Sequence, residues 1–324
     1  MDNKKFRILS LLNPIQEAVV YLEKYGSVVT GTSWSRRKVL EKINDFDAVL
    51  ADDEFRYDAE FFSRADKLKV VSRVGVGYEN VDVEAASDHG VMVTNTPGVM
   101  AESVAEHAIM LMLASANNLV SADSAIREDH WEWEKYRGVE LWNGNLGQIG
   151  LGKIGYMVAK KAADCFNMRV LVHDPYAVEE RVLEVGGKSV NLGAALGEAD
   201  VVSINVPLTE ETNQMIGKDE FKKMKESAIL VNTSRGKVVD QSALVRALKE
   251  GEISKAGLDV LEEEPPEKDD PILELDQVIF TPHQASNTET GVTNMFMGAV
   301  RNLTSALQEK RPRFLLNPSI IDQG

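Results

Sequence analysis

The chain has 324 residues, of which 36 are basic and 51 acidic, giving a net charge of -15, and 44% are apolar. That length and apolar content fit a globular protein with room for two domains. The acidic balance argues against a nucleic-acid or anionic-membrane partner, because both need a basic footprint, and any anionic ligand would need its own local cation.

In chain order, Met1-Asp2-Asn3-Lys4-Lys5-Phe6-Arg7 leads into a short strand-like run, too short for the apolar core of a signal peptide. Strand and helix signals then alternate, the pattern of an α/β fold with largely parallel sheets. Strands are predicted over 7–12, 27–30, 48–51, 69–73 and 91–94, with helices over 15–25 and 36–43 between them. The first strand-to-helix turn, Asn13-Pro14-Ile15-Gln16, has no glycine, so it lacks the tight turn that lets a backbone approach a pyrophosphate. This half reads as an α/β domain that binds no nucleotide. Thr96-Pro97-Gly98 breaks the pattern, and 101–120 reads as one long helix connecting two domains. Its apolar run, 108–116, is well short of the ~20 residues of a membrane span, so a soluble, cytoplasmic protein is expected. The segment 123–142 carries Trp131, Trp133, Tyr136 and Trp142; surface packing is the plain reading and a subunit interface the more specific one.

A second series of strands is predicted over 146–150, 169–173, 201–205, 228–232, 255–258 and 278–281, with loops at Gly251 and 262–271. Cys165, the single cysteine, excludes an intrachain disulfide, fits a reducing compartment and is expected to be packed late in a helix. The last helix is predicted over 291–310, and the tail 313–318 is expected to fold back on the first domain. The expected division is therefore a discontinuous domain of 1–98 plus 292–324 and a second domain of 99–291.

Gly150-Leu151-Gly152-Lys153-Ile154-Gly155 follows a predicted strand and opens a predicted helix over 156–163. In that context Gly150 allows the turn, Gly152 lets the backbone touch a pyrophosphate, and Gly155 lets helix and strand pack closely. The next strand ends in Asp174, where a ribose-binding acid belongs. A carboxylate there accepts from both ribose hydroxyls and repels a 2′-phosphate, and Pro175 and Tyr176 offer no compensating cation, so NAD is expected over NADP.

Three further residues close strand-to-loop transitions. Arg235 follows the strand 229–232 and could grip a carboxylate with two charge-assisted hydrogen bonds, although taken alone an arginine there is better read as a surface ion pair. His283 follows Pro282 at a strand end beside the small residues Ala285 and Ser286. The other four histidines have bland readings: His89 in a turn, His107 in a helix, His130 among tryptophans, and His173 before the ribose acid. Glu264 is one of three adjacent glutamates, the one that abuts Pro265-Pro266. No metal site is read from the sequence.

Over almost its whole length the chain resembles the D-isomer-specific 2-hydroxyacid dehydrogenase family. The matching segments are Gly75-Val76-Gly77-Tyr78-Glu79-Asn80-Val81-Asp82, Ser103-Val104-Ala105-Glu106-His107, the Gly150 fingerprint, Val206-Pro207-Leu208-Thr209, 232–236, Gly257-Leu258-Asp259-Val260 and Thr281-Pro282-His283. The resemblance implies two Rossmann-like or flavodoxin-like parallel-sheet domains with a cleft between them, usually in a homodimer. It implies that His283 is the acid/base, that Glu264 holds its imidazole, and that Arg235 binds the substrate carboxylate, with N–H groups of Val76 and Gly77 on the carboxylate's other side. Lys153 and Ile154 would offer amides to the pyrophosphate, Asp259 would bond the nicotinamide carboxamide, and Val206, Pro207, Thr233 and Ser234 would line the cofactor site.

Three segments depart from the family pattern. Gln148 stands where an aliphatic residue is usual, Asn143-Gly144-Asn145-Leu146 replaces Gly-Lys-Thr-Leu, and Asn205 stands where histidine is common. The substrate is read from 51–56. Relatives that act on 3-phosphoglycerate often place an arginine after the third strand, whereas here Asp52, Asp53 and Glu54 would repel a phosphate, with Arg56 or Arg73 in partial compensation. A small unphosphorylated 2-oxo acid such as glyoxylate or hydroxypyruvate is expected, with 3-phosphoglycerate oxidation as the alternative. Glu264 in place of glutamine argues against formate, and the absence of a lysine in 74–78 against phosphite. A non-catalytic NAD-binding module of the corepressor type is the alternative from another class.

Overall fold

The structure is a computed structural model that describes residues 6–321. The chain divides into two compact units, one taking in residues up to Met100 and again from Thr288, the other Ala101–Asn287. The divisions thus fall after Met100 and Asn287 rather than after 98 and 291.

The first unit holds five strands, β1 (Phe6–Ser10), β2 (Gly26–Thr30), β3 (Ala48–Ala51), β4 (Val70–Arg73) and β5 (Met92–Thr94). They form one parallel sheet in the order β2-β1-β3-β4-β5, the flavodoxin-like winding. All four residues of β3 and of β4 are buried, as expected when helices cover both faces of a parallel sheet. Helix Glu289–Leu307 supplies one cover: Phe296, Val300 and Leu303 pack with Ile8, Leu50 and Val70. Each such fully buried side chain contributes about 1.5–3 kcal/mol. Thr288 caps this helix by accepting from Gly291 N–H, which starts it two residues earlier than predicted. The tail runs along β5, with Leu315 bridging Thr94 and Leu316 N–H bonded to the Val93 carbonyl at 2.8 Å.

The second unit holds β6 (Asn145–Ile149), β7 (Arg169–His173), β8 (Gly187–Ser189), β9 (Val201–Ile204), β10 (Ile229–Asn232), β11 (Lys255–Leu258) and β12 (Val278–Phe280). Their order, β12-β11-β10-β9-β6-β7-β8, is the Rossmann winding, with the strand order reversing between β6 and β9. The short edge strand β8 was not predicted, because its three residues, Gly187, Lys188 and Ser189, show no apolar alternation. Helix Ala101–Ala116 lies against this sheet, with Ala108, Leu111 and Met112 packed with Ile229 and Val231.

The structure differs from the sequence-based expectation at one helix and at the cysteine. The helix predicted over 101–120 ends at Ala116, and a second helix, Leu119–Arg127, leaves it at 62°. The break lies at Asn117-Asn118, where Asn118 takes φ 53°, a left-handed conformation that asparagine tolerates better than most residues. Cys165 is exposed rather than packed. Its spacing continues the buried stripe Gly155, Val158, Ala159 and Ala162 of helix Lys153–Phe166, but it falls in the last turn, which is not covered. Among the described residues no single helix is long and apolar enough to cross a membrane.

Candidate active site

At the reversal point, β6 is followed by Gly150, whose φ of 85° is left-handed and whose added Cβ would stand 2.6 Å from the Asn205 carbonyl oxygen. No side chain caps the start of helix Lys153–Phe166 at Gly152, and a Cβ on Gly152 would meet nothing within 4 Å. The first N–H groups of a helix have no intrahelical partner, and the aligned peptide dipoles place partial positive charge there. Room, donors and positive potential together fit a pyrophosphate. Beside it, Asp174 directly follows β7, accepting from Leu151 N–H at 2.7 Å and Tyr176 N–H at 2.9 Å. Each oxygen keeps a lone pair for a ribose hydroxyl. Arg181 approaches the Gly152 carbonyl at 3.5 Å, a cation at the phosphate turn that the sequence reading missed. Across a separation of 29 positions the sequence carries no periodic signal linking the two.

The other named residues follow the ends of β10, β11 and β12. After β10, the Asn232 side chain folds the loop: its Oδ1 accepts from Ser234 N–H and Oγ–H, and its Nδ2 donates to the Arg235 carbonyl. Arg235 donates from Nη1 to the Ser234 carbonyl at 2.8 Å. A Cβ on Gly236 would overlap the Leu261 carbonyl at 1.8 Å, so only glycine lets this loop lie against the one after β11. That second loop carries Glu264, which accepts from Leu261 N–H at 3.0 Å through Oε1 and meets His283 Nδ1 at 2.7 Å through Oε2.

His283 has φ 50°, uncommon for a residue with a Cβ, and its N–H is bonded to the carbonyls of Asp259 and Thr281. With Nδ1 committed to Glu264, Nε2 is the nitrogen left for a substrate; the side chain is 53% exposed. The hydrogen bond to Glu264 raises the His283 pKa, aided by the charges of Glu264 and Asp259 and opposed by partial burial and Arg235. Partial burial opposes the charge on Glu264, but hydrogen bonds from His283 and Leu261 and the nearby cations outweigh it and lower its pKa.

Asp259 is almost fully enclosed. Its carboxylate accepts from Thr281 Oγ–H at 2.6 Å and from the Gln284 and Ala285 N–H groups, each at 2.9 Å, so it ties down both sides of the His283 turn. His107, read from sequence as an unremarkable helix residue, stands 2.9 Å from Thr281 Oγ1 and 3.5 Å from Asp259. Burial lowers its pKa, and the Asp259 charge only partly offsets that. Because Thr281 gives its proton to Asp259, the neutral ring donates to it from Nε2. Only the fold could reveal this contact, since 174 residues separate the partners.

In the first unit, the loop after β4 ties its carbonyls inward: Gly75 O accepts from Thr96 N–H at 2.8 Å and Val76 O from Asn95 Nδ2 at 2.7 Å. The N–H groups of Val76 and Gly77 have no partner among the described residues. Arg73, only 7% exposed, donates to the Val74 carbonyl and pairs with Asp53 at 3.4 Å. Asp52 is half-buried, which raises its pKa, and it accepts from Tyr57 O–H and Phe55 N–H. Arg56 is exposed.

Residues 109–285 match the NAD binding domain of the D-isomer specific 2-hydroxyacid dehydrogenases. The chain is 43% identical over 291 residues to a glyoxylate reductase of Korarchaeum cryptofilum, covering 89% of this chain and 87% of that one. It is 39% identical over 307 residues to a D-3-phosphoglycerate dehydrogenase of Archaeoglobus fulgidus, covering 94% of this chain but spanning only 58% of the relative's length. Among solved structures, D-lactate dehydrogenase from Aquifex aeolicus, complexed with NAD and lactic acid, superposes with a TM-score of 0.83 at 29% identity, covering 96% of this chain and 98% of that one. The protein therefore belongs to the D-isomer specific 2-hydroxyacid dehydrogenase family, and its second unit carries that family's NAD-binding domain.

Proposed function

We propose that this protein reduces a small, unphosphorylated 2-oxo acid of the glyoxylate or hydroxypyruvate kind to the D-2-hydroxy acid, and runs the reverse oxidation. The observation that carries the reading is the 2.7 Å contact of His283 with Glu264 at strand ends of the NAD-binding unit. Lys153 and Ile154 offer backbone N–H groups to the pyrophosphate and Asp174 takes the ribose hydroxyls, while Val206, Pro207, Thr233 and Ser234 line the cofactor site. When bound, the reduced nicotinamide supplies the hydride. Arg235 grips the substrate carboxylate and polarises the carbonyl, while within the first unit the N–H groups of Val76 and Gly77, without partners among the described residues, are suited to an anionic oxygen. His283 gives its Nε2 proton to the carbonyl oxygen, and in the reverse direction takes it from the hydroxyl. Glu264 holds the imidazole by Nδ1 and favours its charged form. Asp259 primarily holds the histidine's turn, with one remaining lone pair for a carboxamide.

The choice of an unphosphorylated acid rests on charge. Among the described residues Arg73 is the one buried cation; it lies against Gly75 and is already paired with Asp53 and flanked by Asp52. A homodimer is proposed from Trp131, Trp133 and Trp142, each more than half exposed, together with exposed Leu119, Val120 and Ile126 on the neighbouring helix. Sedimentation at a single monomer mass would count against it.

The test of the reaction is NADH oxidation by the purified protein against glyoxylate, hydroxypyruvate, pyruvate, 2-oxoglutarate and phosphohydroxypyruvate. Turnover of the first two above the last is the expected result, and turnover of none would favour a non-catalytic binding module. His283→Ala should lower the rate roughly 10²–10⁴-fold while NADH still binds.

A further inference from the structure

Two of the departures from the family pattern, Gln148 and Asn205, touch each other. Gln148 lies in β6 between β7 and β9, fully buried, where an aliphatic side chain would pack at no polar cost. Its Nε2 donates to the Gly150 carbonyl at 2.9 Å and to Asn205 Oδ1 at 3.0 Å, while its Oε1 is buried without a partner. An amide that leaves half of itself unsatisfied is a poor device for stability alone.

The direction of the network follows from its ends. The Gly150 carbonyl can only accept, so the nitrogen of Gln148 must face it, and the same nitrogen then faces an oxygen on Asn205. Ser203 Oγ–H also donates to that oxygen, at 3.1 Å. Asn205 therefore turns its nitrogen to Thr233 Oγ1, at 3.1 Å. The Thr233 hydroxyl, already accepting, is left as a donor, and no acceptor for it occurs among the described residues. At the other end, the peptide joining Gly150 and Leu151 is held on both sides, its carbonyl by Gln148 and its N–H by Asp174 at 2.7 Å. The network thus crosses the carboxyl edge of the sheet from the phosphate turn after β6 to the residue two before Arg235. Thr233 belongs to the second half of the Rossmann winding, which takes the nicotinamide side of a dinucleotide.

We propose that Gln148 and Asn205 are a coupled pair of cofactor-positioning residues: Gln148 fixes the peptide of the phosphate turn, and through Asn205 it orients the Thr233 hydroxyl as a hydrogen-bond donor to the nicotinamide half. The proposal rests on the NAD-binding role of this unit. Gln148→Met removes the donor at nearly constant volume, Asn205→Leu breaks the middle of the network, and Thr233→Val removes the terminal hydroxyl. Titrations with NADH, followed by nicotinamide fluorescence, and with ADP-ribose, followed by calorimetry, separate the two halves of the ligand. Gln148→Met should weaken both ligands, by about tenfold or ~1.4 kcal/mol for NADH. Thr233→Val should weaken NADH severalfold and leave ADP-ribose unchanged. The Gln148→Met/Asn205→Leu double variant should bind NADH no more weakly than the worse single variant, because the two act as one unit.

Unchanged NADH affinity in folded Gln148→Met would overturn the proposal, as would multiplying losses in the double variant. Equal losses of NADH and ADP-ribose in Thr233→Val would overturn the role of the hydroxyl. If Gln148→Met does not fold, Thr233→Val at the strand end still carries the decision. Failure of the unaltered chain to bind NADH would instead remove the underlying cofactor reading, and this proposal with it.

Discussion

The two units use the same building plan, a parallel sheet wound in both directions from a central strand, yet only one carries a dinucleotide turn. In the first, the residues after β1 are Leu11-Leu12-Asn13-Pro14, and the helix that follows, Gln16–Leu22, is a short one. In the second, Gly150 turns left-handed after β6, Gly152 leaves open space, and a 14-residue helix points its uncapped start at that space. Nucleotide binding is therefore a property of one turn rather than of the winding. What sets the first unit apart is a loop after β4 whose carbonyls are tied back, beside an arginine held by an aspartate.

The largest effect expected from probing this contrast is on Arg235, the cation of the second unit assigned to the substrate. Arg235→Gln removes two charge-assisted hydrogen bonds of ~1.5–3 kcal/mol each, so kcat/KM for the oxo acid should fall by roughly 10²–10⁴. NADH affinity should be unchanged; a parallel loss of NADH binding would mean that Arg235 serves the cofactor instead. Next comes the turn itself. Gly152→Ala meets no atom within 4 Å, so the melting temperature should hold while NADH binding weakens by about tenfold or more, ~1.4 kcal/mol. Normal NADH affinity in that variant would place the pyrophosphate somewhere else.

The third test is read from pH. His283 has a raised pKa, so reduction of the oxo acid, which needs the imidazolium, should decline as pH rises through that value, and oxidation should rise over the same range. In Glu264→Gln the charge that sustains the shift is gone, and the falling limb should move to lower pH. A limb that does not move would separate Glu264 from the titrating group. Stability follows the same signs. The His283 contribution is present below the ordinary imidazole pKa and lost as pH rises through the folded value. The Glu264 contribution is present above the ordinary carboxylate pKa and lost as pH falls through its lowered one.

What the sequence disclosed about these parts divides along a physical line. Strands β3, β7 and β10 were legible because each is a short apolar run, and the glycines because their spacing answers to a local turn. Each member of the Arg235, Glu264 and His283 set was visible at its own strand end, but their convergence followed only from the family resemblance and not from the residues themselves. It depends on Gly236 lying against Leu261 and on Asp259 gripping the residues after His283. The His107 contact and the path from Gln148 to Thr233 were hidden for the same reason, since both join residues from different strands or helices. Cys165 misled because helical phase gives the face a residue occupies but not how far along the helix that face stays covered.

The smallest effect belongs to the first unit and bears on substrate choice. Asp53 is largely exposed, and it holds one side of the buried Arg73 guanidinium at 3.4 Å. Removing the carboxylate in Asp53→Ser leaves the arginine's charge without its partner and takes one repulsive charge from the stretch Asp52-Asp53-Glu54. Pairs in which one member is this exposed are worth about 0.2–1 kcal/mol, so the expected gain for phosphohydroxypyruvate is roughly two- to fivefold in kcat/KM. The rate with glyoxylate, which has no second anionic group, should not change. If both substrates gain equally, the charge near β4 acts on the common carboxylate and does not discriminate between acids. If neither changes, the preference for an unphosphorylated acid comes from the remaining acids of the stretch, Asp52, whose half-buried carboxyl accepts from Tyr57 O–H, and Glu54.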